Sequence, residues 1–146
     1  MVINIGRRKK VGDIPKMTKG KWTDKVQASD FEKIVNAALP PIGIMLEGEA
    51  IVRCPVRTGR LRGSITYAVQ RENDNPRPPA RAEDKVDRPT NKYTLYVGSN
   101  CNYAQHVEYG TRFSRAQPYM RPALDKNKKR CRDIFQKEIK AVLNGK

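Results

Sequence analysis

A capped stripe of apolar residues in the first half of the chain constrains the fold more than any other feature of the sequence. Ser29 is followed three residues later by Glu32, which is the capping-box pattern that begins a helix. The apolar residues after it recur at three- and four-residue spacing, which is typical of one buried helical face. The sequence therefore predicts an amphipathic helix here. The stripe consists of Phe31, Ile34, Val35, Ala38 and Ile42.

Two adjacent prolines, Pro40 and Pro41, divide this stripe. Neither can donate a main-chain hydrogen bond, and their rings crowd the preceding helical turn. We therefore expect a kinked pair of helices, 30–39 and 41–53. The longest uncharged apolar stretch, residues 37–46, is ten residues long. Since a helical bilayer span needs about 20 residues, we expect no membrane segment, and the first residues lack the apolar core of a secretory signal.

Residues 60–70 change to a pattern rich in β-branched and aromatic residues, which favours a strand. Residues 93–97 predict a second strand. Between the two, residues 71–92 contain four prolines and eleven charged residues, so we expect a mobile loop that contributes nothing to a core.

The last third of the chain predicts a short amphipathic segment over residues 103–109 and a final amphipathic helix from Pro122 to Asn144. The resulting fold class is α+β. We expect the kinked N-terminal helix pair and the C-terminal helix to pack on a small antiparallel sheet.

The excess of positive charge lies mainly at the two ends of the chain. The protein has 146 residues and a net charge of +15, of which residues 1–29 carry +6 and residues 125–146 carry +5. We interpret residues 1–28 as a basic extended arm and residues 29–146 as a single domain. Trp22 in the arm is a candidate subunit contact, because an aromatic ring anchors better on protein than in water.

Scattered cysteines argue against a metal site or a catalytic thiol. The three cysteines, Cys54, Cys101 and Cys131, form no closely spaced pair, and His106 is the only histidine. A structural zinc site normally needs four such ligands with at least one close pair. No base is spaced to activate the hydroxyls of Thr58, Ser64 or Thr111. A cysteine–histidine nucleophilic pair stays formally open, but no third group can be assigned to orient it. We therefore expect no metal, no cofactor and no enzymatic activity.

Three short motifs are more specific to a kind of protein than the overall amino-acid composition is. The first runs from Cys54 to Ile65 and reads CPVRTGRLRGSI. The second reads YVGS from Tyr96, followed by YAQHVEYGT from Tyr103. The third reads QPYMRPAL from Gln117. Their motif positions are Pro55, Thr58, Gly59, Leu61 and Ser64; Tyr103, Ala104, Glu108, Gly110 and Thr111; and Pro118, Met120, Arg121 and Pro122.

In this order and at these separations, the motifs resemble those of the head–tail joining proteins of long-tailed bacteriophages, also called neck, tail-completion or minor tail components. The resemblance covers roughly residues 30–143 and leaves the basic arm outside. Cys54 stands where the family pattern usually has a small alanine, and the loop 71–92 is a part in which such proteins differ.

The resemblance implies a structural role in the virion. Family members form six- or twelve-fold rings at the neck, between the DNA-filled head and the tail. Their partners would be a connector or head-completion protein on one side and a tail tube or tail terminator protein on the other. The ring would continue the DNA channel, with non-specific contact between the basic ends and DNA as one use of the charge.

A second hypothesis stays open from the charge alone. Clustered lysine and arginine residues bind phosphates by releasing counterions, so the chain could be a stand-alone basic nucleic-acid-binding protein. No zinc-finger spacing, Gly-rich phosphate loop or RNA-binding aromatic motif accompanies the charge.

Glu108 is the acidic residue of greatest interest, because Val107 and Tyr109 flank it and predict that it is at least partly buried. A buried carboxylate needs a cationic partner. We expect an ion pair with Arg60, Arg62 or Arg121 that fixes the turn at Gly59 against the turn at Gly110.

Overall fold

The computed structural model describes residues 2–4, 28–70 and 78–144, with side chains from Ser29 onward. It confirms the α+β class, with the C-terminal helix packed against the N-terminal helix and a small antiparallel sheet beside them. Trp22 and most of the predicted arm lie outside the described residues. The elements are β1 (Val2–Asn4), α1 (Ala28–Arg53), α2 (Arg60–Ser64), β2 (Thr66–Ala68), a short 3-10 helix (Ala82–Asp84), β3 (Tyr96–Gly98), α3 (Ala104–Tyr109) and α4 (Met120–Asn144).

Helix α1 is continuous through Pro40 and Pro41, so the predicted division into helices 30–39 and 41–53 is wrong. A proline inside a helix costs about 3 kcal/mol or more. Tertiary packing offsets that cost, because apolar side chains are buried on both sides of the prolines, against α4 and the sheet. Those side chains are Ile34, Val35, Ala38, Ile42, Leu46 and Ala50.

Gly43 brings α1 unusually close to the sheet. A Cβ atom at this position would lie 2.5 Å from Cδ2 of Tyr67 and 3.1 Å from Cδ1 of Leu95. The Tyr67 ring, which is 1% exposed, therefore packs directly against the helix backbone and fixes the separation of α1 from β2.

One helix among the described residues, Ser29–Arg53, is long and apolar enough to cross a membrane by length and composition alone. The prediction of no such segment rested on an uncharged apolar stretch of only ten residues that contains both prolines, whereas the helix runs through the prolines and is much longer than that stretch. Half of its most apolar stretch is buried inside the fold. The core helix of a protein that never enters a membrane passes the same test.

The predicted strand over residues 60–70 is correct only at its end. Arg60–Ser64 forms the short helix α2, and the strand β2 starts at Thr66. Gly59 has a φ of +79°, and its carbonyl accepts a hydrogen bond of 2.9 Å from the N–H of Gly63, which closes a helical turn. The turn chemistry therefore overrides the strand preference of the first residues.

The sheet has three antiparallel strands in the order β1-β3-β2. β3 is central: Gly98 lies opposite Val2 of β1 on one side and Thr66 of β2 on the other. Three residues of the predicted arm thus form an edge strand, while the proposed boundary between arm and domain stays a prediction.

The second half of the predicted loop contributes to the core, contrary to expectation. Asp84 and Val86 are each 1% exposed, and Pro89 is buried. The sequence prediction weighed the charge of the segment and missed that one of its carboxylates is paired inside the protein. Residues 71–77 lie outside the described residues, so the predicted mobility of the loop stays a prediction.

Candidate partner-binding site

The first motif forms a turn that holds the loop after it. In addition to the Gly59 turn, Arg60 makes a two-point hydrogen bond to the Asp84 carboxylate, at 3.0 Å from Nε and 2.9 Å from Nη2. These hydrogen bonds raise the pKa of Arg60 above its ordinary value. The Nη2 group of Arg60 also donates a 3.0 Å hydrogen bond to Glu83. The guanidinium is therefore bonded to both acidic residues of the 3-10 helix.

Two further positions of this motif, Leu61 and Ser64, lie inside the fold. Leu61 is buried, and the Ser64 hydroxyl donates a 2.7 Å hydrogen bond to the Leu61 carbonyl. Because that bond uses its only proton, Ser64 accepts the 2.6 Å hydrogen bond that joins it to Ser99. Pro55 is half-buried and Thr58 is exposed. The motif therefore ties α2 to the end of β3.

The second and third motifs meet at the Glu108 carboxylate. Glu108 is 2% exposed, as the sequence predicts. Its Oε2 accepts hydrogen bonds from the main-chain N–H groups of Tyr119 at 2.8 Å and Met120 at 2.9 Å. Its Oε1 accepts one from the N–H of Arg121 at 3.0 Å.

This geometry satisfies the whole N-terminus of α4. The first four N–H groups of a helix have no partner within the helix. Three of them bond to Glu108, and the next residue, Pro122, has no N–H to satisfy. The negative carboxylate also lies at the positive end of the helix dipole. Pro118 is exposed, Met120 is buried and Pro122 is half-buried beside it.

The predicted ion pair of Glu108 is therefore wrong. Arg60 bonds to Asp84 and Glu83 instead, and Arg121 reaches Glu108 through its main-chain N–H. The guanidinium of Arg121 stacks over the ring of Tyr109, 4.3 Å from its centroid. Main-chain N–H groups thus bond to the Glu108 carboxylate in place of the cationic side chain that the sequence predicts.

Residues 110–118, here called the Phe113 loop, connect α3 to α4 in a fixed conformation. Gly110 has a φ of +76° and a ψ of 178°, a combination open almost only to glycine. The Thr111 hydroxyl accepts the N–H groups of Phe113 at 3.2 Å and Ser114 at 3.0 Å. The N–H of Gln117 bonds to the Val107 carbonyl at 2.8 Å and closes the loop.

The outer surface of the Phe113 loop is aromatic and basic. Phe113 is 84% exposed, and the Arg112 guanidinium lies 4.4 Å from its ring centroid. Arg115 is also exposed, and Tyr109 beside the loop is 52% exposed. No acidic residue occurs between Glu108 and Asp125. The sequence analysis missed this surface, although an aromatic residue between two arginines was visible after the second motif.

Tyr103 precedes α3 and Ala104 begins it. Ala104 belongs to the same buried apolar cluster as Cys54 and Cys101, and Tyr103 packs against that cluster. The thiols of Cys54, Cys101 and Cys131 are all free. Burial raises the pKa of the Cys54 thiol to about 11, with a smaller raising contribution from Cys101 and an opposing one from Arg62. Across the described ranges, no group of three or more His, Cys, Asp and Glu side chains is placed to hold a metal ion.

Comparison with known proteins identifies one family. No curated protein and no solved structure matches the chain. The sequence profile of the family described as "Bacteriophage HK97-gp10, putative tail-component" matches residues 21–110. The match includes the Gly59 turn, Glu108 and Gly110, and it ends before the rest of the Phe113 loop and α4. Because the matched residues are more than half of the chain, the protein belongs to this HK97-gp10-like family of bacteriophage tail components.

Proposed function

We propose that the protein is a non-enzymatic structural subunit that forms a ring at the phage neck. As a tail component it is part of the virion and contacts other head or tail proteins. In the proposed arrangement, six or twelve copies join the connector or head-completion protein to the tail tube or tail terminator protein. The ring continues the channel through which DNA leaves the head.

The observation that carries the ring proposal is an exposed apolar face on α1. Ile44 is 53% exposed and Val52 is 78% exposed, and residues 34–46 contain no charged side chain. From residue 37 onward, the exposed positions recur at three- and four-residue spacing and thus form one continuous apolar face, with the exposed Lys33 at its N-terminal end. They are Ala37, Pro41, Ile44, Gly48 and Val52.

The net charge of the chain argues that this face meets a second copy. Subunits of +15 repel one another wherever lysine and arginine residues face across a contact. An uncharged apolar face allows two copies to approach without that penalty and buries surface that water solvates poorly. A contact between this face and a different surface of the next copy closes a ring when the rotation permits.

The test is the mass of the assembly, measured by size exclusion with light scattering, alone and after mixing with the purified head-completion and tail proteins encoded beside it. We expect a closed ring for the wild type and a monomer for Ile44→Glu. Gln136→Glu is the matched control, since it adds the same charge at an exposed position of α4. A wild type that stays monomeric under all these conditions contradicts the ring.

A specific observation also favours the nucleic-acid hypothesis. The outward face of α4, here called the α4 lysine face, carries four exposed lysines and one exposed acidic residue, Asp133, at helical spacing between them. The lysines are Lys126, Lys129, Lys137 and Lys140. Weak, steeply salt-dependent binding of duplex DNA would fit channel contact within a ring. Tight, sequence-selective binding by a monomer would support a stand-alone nucleic-acid-binding protein instead.

A further inference from the structure

The internal hydrogen bonds of the Phe113 loop fix a backbone conformation that leaves the apolar ring of Phe113 exposed to solvent. The loop is fixed at its start by Gly110 and Thr111 and at its end by the bond from Gln117 to the Val107 carbonyl. The Glu108 carboxylate then fixes the residues that follow. A loop this constrained loses little conformational entropy when it docks, which favours tight binding.

Phe113 has no cover within the part of the chain that the structure describes, apart from the guanidinium of Arg112 on one ring face. Aromatic and arginine side chains are the residue types enriched in the centres of protein–protein interfaces, whereas lysine is depleted there. The loop has the composition of such a centre, and the α4 lysine face does not.

The charge of the loop selects the partner. Arg112 stacks on Phe113, Arg121 stacks on Tyr109, and Arg115 is exposed. The carboxylate that precedes the loop, Glu108, is buried and accepts three main-chain hydrogen bonds. A docking partner must therefore supply acidic groups around an apolar pocket.

A second copy of this chain is a poor source of those groups. The chain has 15 acidic residues against 30 basic ones, and several of its exposed carboxylates are already bonded to its own cations. These pairs are Glu32 with Lys92, Glu83 with Arg60, and Asp125 with Lys128. Duplex DNA supplies negative charge, but a phenylalanine ring can enter it only by unstacking and kinking a base step, which costs a few kcal/mol.

We infer that the Phe113 loop inserts into an acidic-rimmed apolar pocket on a different virion protein, and that it is the joining contact rather than the contact between copies. This inference rests on the proposed function and names the partner class of one surface. Phe113 is the anchor in the pocket, and Arg112 and Arg115 pair with acidic residues at the rim.

The test measures binding of the full-length protein to each purified product of the virion genes that flank its own. We expect Phe113→Ala to weaken binding to one of them by about 30-fold or more, as truncation of an interface anchor does. The double variant Arg112→Ala/Arg115→Ala should weaken binding and flatten its salt dependence. Phe31→Ala is the matched control, because Phe31 is an exposed aromatic residue on α1 at 46% exposure.

The same variants are measured for assembly mass and for binding to duplex DNA. Phe113→Ala should leave both unchanged. Loss of self-association would assign the loop to a second copy, loss of DNA binding would assign it to nucleic acid, and either result overturns the inference. A wild type that binds a flanking protein only as tightly as Phe113→Ala does overturns the inference alone. A wild type that neither forms a ring nor binds any of them overturns the proposed function as well.

Discussion

The Phe113 loop and the α4 lysine face are both exposed and both positive, but they are built in opposite ways. In the loop, a buried carboxylate, a glycine-only turn and a capping hydroxyl fix the position of each exposed group. On the α4 lysine face, the cationic side chains project from a regular helix, and the helix alone sets their spacing. The loop can recognise a shape, whereas the lysine face can recognise only charge. Single substitutions should therefore matter in the first region and hardly at all in the second.

The largest expected effect follows from Glu108→Gln. The amide keeps one acceptor oxygen and brings an NH₂ group towards N–H donors, so at least one buried main-chain donor loses its partner. Each orphaned buried donor costs about 1–3 kcal/mol, and the charge-assisted bonds are lost too. We expect the free energy of unfolding to fall by about 3 kcal/mol in urea titrations.

Glu138→Gln provides the control for that measurement, since Glu138 lies half-buried on α4 away from the loop. We expect it to change the unfolding free energy by less than about 0.5 kcal/mol. Equal stability of Glu108→Gln and the wild type would show that the carboxylate does not hold the start of α4, and the contrast between the two regions would disappear.

A somewhat smaller effect is expected for Gly110→Ala. The backbone angles at Gly110 are strained for any residue with a side chain, and a Cβ atom would lie 2.7 Å from the Ala116 nitrogen. We expect a loss of about 2 kcal/mol from the unfolding free energy, together with weaker binding of the partner.

Gly48→Ala is the matched control, because a Cβ atom there meets nothing within 4 Å. It lies inside α1, where alanine is the better helix former, so we expect a gain of about 0.5–1 kcal/mol. A destabilised Gly48→Ala would mean that general glycine replacement, and not the turn at Gly110, explains the first result.

Alkaline pH should weaken the core beneath the loop more gently. The pKa of the buried Cys54 thiol is raised to about 11 from its ordinary value of 9.0. Below pH 9 both the folded and the unfolded chain keep the proton, so the full stability is present. Between pH 9 and 11 only the unfolded chain releases it, so the stability falls as the pH rises.

Cys54→Ala removes this contribution, and the resemblance to the phage joining proteins makes alanine the natural replacement. We expect a shallower decline of the unfolding free energy over this pH range. Burial also raises the pKa of Tyr119, so part of the decline should persist. An unchanged slope in Cys54→Ala would exclude the thiol as a contributor.

The smallest effect on the fold is expected for the α4 lysine face. Replacing Lys126, Lys129, Lys137 and Lys140 together by glutamine should change the unfolding free energy little, since exposed charges contribute weakly. If the face binds DNA, the slope of log affinity against log salt concentration should fall by about 0.9 for each phosphate that the variant no longer neutralises. If the replacement of one of these lysines alone accounted for most of the change in DNA affinity, the face would be a site of defined shape, whereas we expect it to act only through its charge.

Local patterns predicted the fold where tertiary contacts agreed with them. The apolar spacing after Ser29 corresponds to α1, although the helix begins at Ala28 and Ser29 lies within it, and the spacing after Pro122 corresponds to α4. The prolines were over-weighted because the packing that offsets them comes from residues distant in sequence. Residues 60–64 were assigned to a strand because a helical turn opened by Gly59 has no periodic pattern.

Only part of the candidate site could be predicted, again because some of its contacts come from residues that carry no local sequence pattern. The burial of Glu108 followed from its apolar neighbours, but its partners did not, because every residue except proline carries the same main-chain N–H group, and its use as a donor cannot be read from the sequence. Asp84 was missed since a buried carboxylate inside a highly charged segment looks like its exposed neighbours.

The shared acceptor of Tyr119, Met120 and Arg121 has a consequence for motion. Helix ends ordinarily fray residue by residue, and their amide hydrogens exchange with solvent at separate, rapid rates. Here three successive amides depend on one carboxylate carried by α3. They can open only when Glu108 leaves, so all three should exchange slowly and at a common rate. The first turn of α4, the Phe113 loop and α3 then open and close as a single cooperative unit.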